Sequence, residues 1–498
     1  MKTSAHSLVM IDLSGPTLSP DEKALLSDFD VGGICMFRRN FKDRFQMAEF
    51  SAELRELCGD NLLIGVDQEG GTVVRSLDVP YSIGNMALGS VNEPSLTHQI
   101  GAASARGLRA MGITLNFAPV ADVNNNPLNP VISDRSFGAK AEAVAQHVVA
   151  FVQGLQGGGV AATLKHFPGH GDTSTDSHHD LPKLEASLER LKALELIPFR
   201  AGIAAGVACV MSYHGKIMAL DPDNPGTLSR KVMTGLLRET LGFDGVSFTD
   251  ALEMQAIGKT YGAEESVIRA LEAGIDMPLY DVHQGSVKQH EAIFKAVDKA
   301  QDTGRLEAEQ VKRSLERLKR LAKRYPAKPN PATAWTDGDK ELLSLAAAKA
   351  VAVAGEVQSL RATNKLTVVA ADTQVGGSAS DMSLTPAHAL VQRLEKAGFN
   401  VKKQFYKKDE LESFQLNPES VVIFVSASRT RLSPEEIKLA KTLAETSSGF
   451  IHVALWNPYS IQDVGQGGII SFGFSEGALE QVVSVLQGKP AQGHLPIL

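Results

Sequence analysis

Cysteine is scarce. The 498 residues contain three, Cys35, Cys58 and Cys209, and none has a CxxC partner. That excludes a disulfide framework, and an odd count fits a reducing compartment, the cytoplasm. Long apolar runs are missing as well. Asp12 interrupts the first one, nothing approaches the roughly 20 residues needed to cross a bilayer, and Met1–His6 has no apolar h-region behind it. Neither a membrane span nor a signal peptide is expected, a leader removed beforehand aside. Positive charge is in deficit, with 50 Lys and Arg against 57 Asp and Glu, a net charge of −7. That balance argues against a nucleic-acid-binding surface. The chain has no low-complexity tract, and the glycines at 465–468 lack the form of a phosphate-binding loop. No cofactor is expected.

What is present is an alternation. Strand-like runs occur at Ser7–Leu13, Gly32–Phe37, Leu62–Asp67, Ile113–Ala118, Val160–His166, Val207–Tyr213, Gly245–Asp250 and Ile275–Tyr280. Helical patterns such as Phe45–Cys58 and Pro94–Met111 lie between them, the latter with proline where a helix tolerates it. Eight strand–helix units over some 300 residues predict a (β/α)8 TIM barrel of parallel strands. Pro278 predicts a short or irregular eighth strand.

A chain this long exceeds one ordinary core. Residues 1–325 are read as the TIM-barrel catalytic domain, ending in a charged helix, Arg305–Lys323. Residues 326–340 form a proline-rich linker and residues 341–498 a smaller three-layer αβα sandwich. In the second domain strands are expected at Leu366–Ala371, Val421–Ser426, Phe450–Trp456 and Ile469–Phe474. Helices are expected at Ala387–Ala397, Pro434–Thr446 and Gly477–Leu486.

The stretch that organises the chain follows the fifth strand: Lys165-His166-Phe167-Pro168-Gly169-His170-Gly171, then Asp176-Ser177-His178. Pro168-Gly169 prevents a helix, so the stretch is a loop rich in His and Asp. Gly169 and Gly171 read as hinges of a loop closing over a ligand. Asp176 and His178 can pair locally, which orients the imidazole and suits it to proton transfer near neutral pH. A metal site is the competing reading, but His166 and His170 share a face only on a helix, so no metal is assigned. A loop of idle polar residues is the other.

Polar residues also gather at the ends of the other strands: Asp67 with Gln68, Glu69 and Arg75; Asp122 and Asp134-Arg135; Ser212-Tyr213-His214; Asp250. In a barrel these ends converge at one mouth, as a polar ligand requires. A pyranose calls for forked donors and acceptors, which Asp67, Arg75, Arg135 and Lys165 supply. Cleaving a glycosidic bond needs one group at the anomeric carbon and one that hands a proton to the leaving oxygen. Asp250 suits the first role, with helix capping through Ala251–Met254 as its other reading. His178, backed by Asp176, suits the second.

The loop signature, together with Asp67-Gln68-Glu69-Gly70-Gly71, Asp134-Arg135-Ser136-Phe137 and Ser247-Phe248-Thr249-Asp250, resembles family 3 glycoside hydrolases, in particular their β-N-acetylglucosaminidase (NagZ-type) branch. The resemblance implies that Asp250 is the nucleophile and that Asp176 with His178 is the acid/base dyad. It implies that Asp67, Arg75, Arg135, Lys165 and His166 hold the terminal sugar. The implied substrate is a GlcNAc-terminated glycan, with peptidoglycan fragments the family expectation. Thr72 and Thr249 depart from the pattern, which has arginine and serine there. The resemblance is weaker in the second domain, resting on Asn457-Pro458-Tyr459 and Gly493-His494-Leu495-Pro496, and a structural role is expected for that part. The rivals are a phosphorylase or a β-glucosidase of the same family, a metal-dependent barrel hydrolase, and a sugar-binding protein without catalysis.

Overall fold

The computed structural model describes residues 4–173, 181–282, 287–372, 385–407, 411 and 420–497. Eight strands follow one another in chain order and pair in parallel: β1 Met10–Ile11, β2 Gly33–Met36, β3 Leu63–Val66, β4 Leu115–Asn116, β5 Ala161–Phe167, β6 Cys209–Ser212, β7 Val246–Phe248 and β8 Leu279–Tyr280. β8 pairs with β1, and a parallel bridge from Phe248 to Met277 joins β7 to the start of β8, closing the TIM barrel. The eighth strand is short because it begins only after Pro278, whose carbonyl accepts from Met10 N at 2.9 Å. Gly65 makes room inside the barrel: a Cβ there would meet the Phe117 ring at 3.0 Å. Small residues opposite large ones let the layers of a narrow barrel fill without voids.

The helices between the strands bury one face each. Arg44–Cys58 is capped by Asp43, whose side chain accepts from Phe45 N and Gln46 N. Pro94–Ala110 packs Leu96, Ile100 and Leu108 inward. The last barrel helix, Ala308–Arg324, starts three residues later than its charge pattern suggests.

A second sheet has the order β9 Ala352–Ala354, β14 Gly468–Ile470, β13 Gly449–Ala454, β12 Val421–Ser426, β10 Lys365–Ala371 and β11 Asn400–Tyr406. All neighbours are parallel except β9 and β14. Its central strands are apolar on both faces. Val368, Ile423 and Val425 pack with Leu390, Leu394, Val482 and Leu486 of helices Pro386–Lys396 and Glu476–Leu486. Val369, Val422 and Phe424 pack with Ala440 and Leu443 of helix Pro434–Thr446. Helices on both faces make the αβα sandwich, and they explain continuous rather than alternating apolar strands. Two strands, β9 and β11, escaped sequence reading. β11 is an edge strand whose Lys402 and Lys403 are exposed, a composition that discourages further pairing and hides the strand.

The two parts share contacts. Tyr459 OH accepts from Asn124 Nδ2 at 2.7 Å. Ala139 N donates to Pro496 O at 2.9 Å, and His494 N donates to Ser90 O at 2.9 Å. The two second-domain segments that carried the resemblance are therefore among those that touch the barrel, beside Arg431, whose guanidinium donates to Pro127 O, and Lys349, which pairs with Glu93.

Candidate active site

Three strands deliver an ionic lattice to one end of the barrel. β3 leads into Asp67 and Glu69, β5 carries Lys165 and His166 just before its last residue, and the chain after β4 carries Asp122 and Arg135. Lys165 Nζ lies 2.7 Å from Asp67 Oδ1 and 2.5 Å from Glu69 Oε1, and its side chain is almost fully buried. Arg135 grips Glu69 with two parallel bonds, Nε to Oε2 at 2.9 Å and Nη2 to Oε1 at 2.8 Å. Burial alone would raise the Glu69 carboxyl, but the charges of Arg135 and Lys165 outweigh it and hold Glu69 well below the usual range. Lys165 is raised by Asp67 and Glu69 against its own burial. Glu69 therefore neutralises two buried cations, while Asp67, more exposed, keeps an open side towards the mouth. Arg75 Nη2 stands 3.7 Å from Asp67 Oδ2. Thr72, in the place of the expected arginine, donates through Oγ1 to Asp134 Oδ2 at 3.1 Å.

Arg135 sits at the end of a single 3-10 turn, Ser133–Arg135. Asn124 Oδ1 accepts from Ser133 N at 3.1 Å, and Asn85 Nδ2 donates to Arg135 O at 2.7 Å. Since Asn124 also donates to Tyr459, the second domain supports the turn that carries Arg135.

Asp122 holds the start of the loop after β5. Its buried carboxylate accepts from His166 Nδ1 at 2.7 Å, from His166 N at 3.1 Å and from His170 N at 2.7 Å. Burial opposes the charged form, but His166 and these hydrogen bonds lower the pKa. A guanidinium only donates, so Arg135 Nη2, at 3.3 Å, gives to His166 Nε2. The tautomer follows: Nδ1 carries the proton and Nε2 faces the mouth. His170 is a different residue in kind. It is buried, its Nδ1 meets Thr173 Oγ1 at 2.7 Å, and burial first, then its neighbour His166, lower it to about 3. It stays neutral and structural. Gly171 packs against the chain after β4, where a Cβ would come within 1.8 Å of Val123 O. The sequence suggested a free hinge there; close packing is what requires this glycine.

Asp250 follows β7 and is partly open. Its Oδ2 is 3.9 Å from His166 Nε2, and its Oδ1 accepts from Ala251 N at 2.8 Å. Burial works against the charge, yet His166, His214 and Lys165 bring it down to about 2. The carboxylate is thus ionised and aimed at the space bounded by Lys165 and His166. It caps no helix: the next one starts at Gln255. His214 Nε2 donates to Ala251 O at 2.9 Å, holding the turn. Thr249 Oγ1 accepts from Leu279 N at 2.9 Å and so ties β7 to β8, a task serine could also perform.

Beside this lattice lies a second one that sequence reading did not assign. Arg39 Nη2 bridges Asp12 Oδ2 at 2.6 Å and Asp281 Oδ1 at 3.0 Å, and His290 Nε2 is 3.1 Å from Asp12 Oδ1. Glu253 accepts from Asp281 N at 3.1 Å. Burial, then the charge of Asp281, pushes the Glu253 carboxyl up to about 8.

Of the residues singled out from sequence, Asp67, Arg75, Arg135, Lys165, His166 and Asp250 come together. Asp176 and His178 lie outside the described residues. Among the described residues no group of three or more His, Cys, Asp or Glu side chains is arranged to hold a metal ion. Asp122 and Glu69 were visible in the sequence as polar residues at strand ends, but their partners are far away in the chain. No helix among the described residues is long and apolar enough to cross a membrane.

Residues 3–321 match the family described as Glycosyl hydrolase family 3 N terminal domain. The chain belongs to glycosyl hydrolase family 3. Among proteins similar to this family 3 chain is a beta-hexosaminidase of Thiobacillus denitrificans, 39% identical over 282 residues, covering 55% of this chain and 78% of that protein. Beta-hexosaminidase A of Pseudoalteromonas piscicida is 33% identical over 335 residues, covering 62% of this chain but only 56% of its own length. The structure of a family 3 beta-N-acetylglucosaminidase from Paenibacillus sp. str. FPU-7 superposes with a TM-score of 0.90 at 35% identity, covering 100% of this chain and 98% of that one. That likeness extends through the second domain.

Proposed function

We propose that this family 3 chain is a retaining exo-β-N-acetylglucosaminidase that releases terminal β-linked GlcNAc from glycans, with peptidoglycan-derived fragments as the substrate class. The observation that carries the reading is Asp250, an ionised carboxylate at the end of β7, 3.9 Å from a histidine whose Nε2 faces the same space. The relatives named above as hexosaminidases and an N-acetylglucosaminidase support the choice of sugar.

In this reading Asp67, Arg75, Arg135, Lys165 and His166 hold the sugar hydroxyls. An Asp250 oxygen attacks the anomeric carbon as the glycosidic C–O bond breaks, and the leaving oxygen takes a proton from His178. The neutral His178, oriented by Asp176, then removes a proton from water. That water displaces Asp250 from the anomeric carbon. Two inversions retain the β configuration and restore both groups. No residue after the linker at 326–340 takes part in these steps, so the role assigned to residues 341–498 is support of the barrel mouth. The three cysteines are buried and form no disulfide, which suits a cytoplasmic setting.

The test is a pair of assays on the full chain. Nitrophenyl β-N-acetylglucosaminide should be cleaved and nitrophenyl β-glucoside hardly at all, with free GlcNAc as product both with and without phosphate. A 2-fluoro sugar should label Asp250. A sugar 1-phosphate product, preference for the glucoside, or a label on another carboxylate overturns the corresponding part of the reading.

A further inference from the structure

Between the barrel and the second domain lies a cavity of about 450 Å³. Both tryptophans of the chain, Trp335 and Trp456, line it, together with Tyr81 and Phe474. Trp456 and Phe474 meet edge to face with centroids 5.5 Å apart. Its wall carries two cations, Lys340 and Arg429, against one carboxylate, with hydroxyls and the two indoles as the other polar groups. Lys340 stands with Nζ 6.0 Å from the Trp335 ring, and Arg429 enters from the second domain. Trp456 is over nine-tenths buried, and its Nε1 is buried with no hydrogen-bond partner; Arg429 Nε is likewise unpartnered. The carboxylate on the wall, Glu476, is taken up by Arg393 at 2.7 Å. Near Arg429, Asp134 is an incomplete counter-charge, since burial raises its carboxyl above the usual range.

A buried indole N–H and guanidinium N–H without acceptors are costly unless something supplies them. A cavity with aromatic walls and surplus donors, in a chain whose overall charge is negative, fits a ligand with the opposite features: a ring with an apolar face, rich in acceptors and carrying a negative charge. Pyranose rings present C–H faces to indoles and oxygens at their edges. The cavity shares a wall with the sugar pocket. Thr72, on that wall, bonds Asp134, the neighbour of Arg135, and Arg135 bonds Glu69 and His166.

We infer that this cavity is a second carbohydrate site, taking a pyranose that carries a carboxylate, with the ring against the indoles and the carboxylate on Arg429 and Lys340. The choice of a sugar over another cyclic acid rests on the glycosidase reading of the mouth. A chain with this site would engage acidic glycans at two places at once.

Both indoles report on the cavity and none lies in the sugar pocket, so tryptophan emission of the full-length chain is the readout. Titration with glucuronate or with N-acetylmuramate should change the emission saturably at concentrations on the order of millimolar. GlcNAc, which lacks the charge, and benzoate, which lacks the pyranose, should leave it unchanged over the same range. Arg429→Ala and Lys340→Ala should each weaken the response about tenfold, the scale of one charge-assisted hydrogen bond. Both variants should cleave nitrophenyl N-acetylglucosaminide like the parent. The inference is overturned by the absence of a saturable response to both acidic sugars, by an equal response to GlcNAc or benzoate, or by full binding in the two variants. Should Arg429→Ala not fold, Lys340→Ala decides. A parent chain that binds the acidic sugars but cleaves no glycoside overturns the reading of the mouth and leaves the cavity site standing.

Discussion

Asp122 accepts hydrogen bonds from both the ring and the backbone of His166, Nδ1 at 2.7 Å and N at 3.1 Å. One carboxylate thereby sets the tautomer of His166, proposed to hold the sugar, and pins the turn that leads into the proposed acid/base loop, since it also takes His170 N. Neither end of β4 nor β5 could impose this alone.

Asp122→Asn should therefore act on chemistry more than on fold. An amide offers one acceptor to three donors and brings two N–H groups of its own. His166 should shift its proton to Nε2, where it faces the Arg135 donor. Imidazole nitrogen NMR should show the change of tautomer, and kcat/KM should fall about 10- to 100-fold, the cost of one or two mismatched buried polar groups. A parent-like tautomer with parent-like kinetics removes Asp122 from this role.

Glu69 and Asp67 should separate. Glu69→Gln leaves Lys165 and Arg135 short of a buried counter-charge, so the unfolding midpoint should drop, with a cost of about 3 kcal/mol. Asp67→Ala is at the partly exposed side of the lattice. It should raise KM for the sugar or lower kcat with the fold intact. Thermal unfolding beside steady-state kinetics distinguishes the two, and unfolding of both variants would favour a purely structural lattice.

His178 is tested through the leaving group. A glycan alkoxide needs a proton as the bond breaks; a nitrophenolate does not. His178→Ala should slow glycosylation on a disaccharide far more, by roughly 100-fold or greater, than on a nitrophenyl glycoside. Azide should relieve slowed deglycosylation because it attacks without a base. Asp176→Asn should show a milder form of the same pattern. Equal loss of the glycosylation rate on both substrates removes the proton-donor role.

Glu253 gives a pH signature. Its carboxyl is raised to about 8 in the folded chain by burial and by Asp281. The folded state keeps this proton while the unfolded state releases it near the ordinary glutamate value. Stability from this group is thus full below about 4.5 and declines as pH rises through about 8. Glu253→Gln should flatten that decline and raise the urea midpoint at pH 8.5, by on the order of 1 kcal/mol given the side chain's partial exposure. At pH 4.5 the variant and parent should be closer. A pH-independent difference between them refutes the assignment.

The second domain's support of the mouth is tested at Tyr459. Tyr459→Phe removes the acceptor for Asn124 Nδ2, whose Oδ1 positions the turn of Arg135. The expected result is a rise in KM of a few-fold, with about 1 kcal/mol lost in stability. Unchanged KM would confine Tyr459 to packing.

Much of this protein was determined by its sequence alone, where the controlling physics is local or periodic. Apolar runs at regular spacing required parallel strands with crossovers, Pro278 shortened β8, and Pro168-Gly169 ended β5 in a loop. Strand ends such as Asp67, Lys165 and Asp250 had to meet, because a closed parallel barrel brings all its C-terminal ends to one face. Only the tertiary structure decided the partners. Glu69 with Arg135 and Lys165, Asp122 with His166 and His170, and Tyr459 with Asn124 are pairs separated by 44 to 335 residues. No periodicity encodes such pairings. The contrast between Asp250 and Glu253 was equally beyond the sequence: both are carboxylates near β7, yet one is brought down by His166, His214 and Lys165 and the other is pushed up by burial and Asp281. The residue type is the same chemistry; which charges and how much water surround it is settled only by folding.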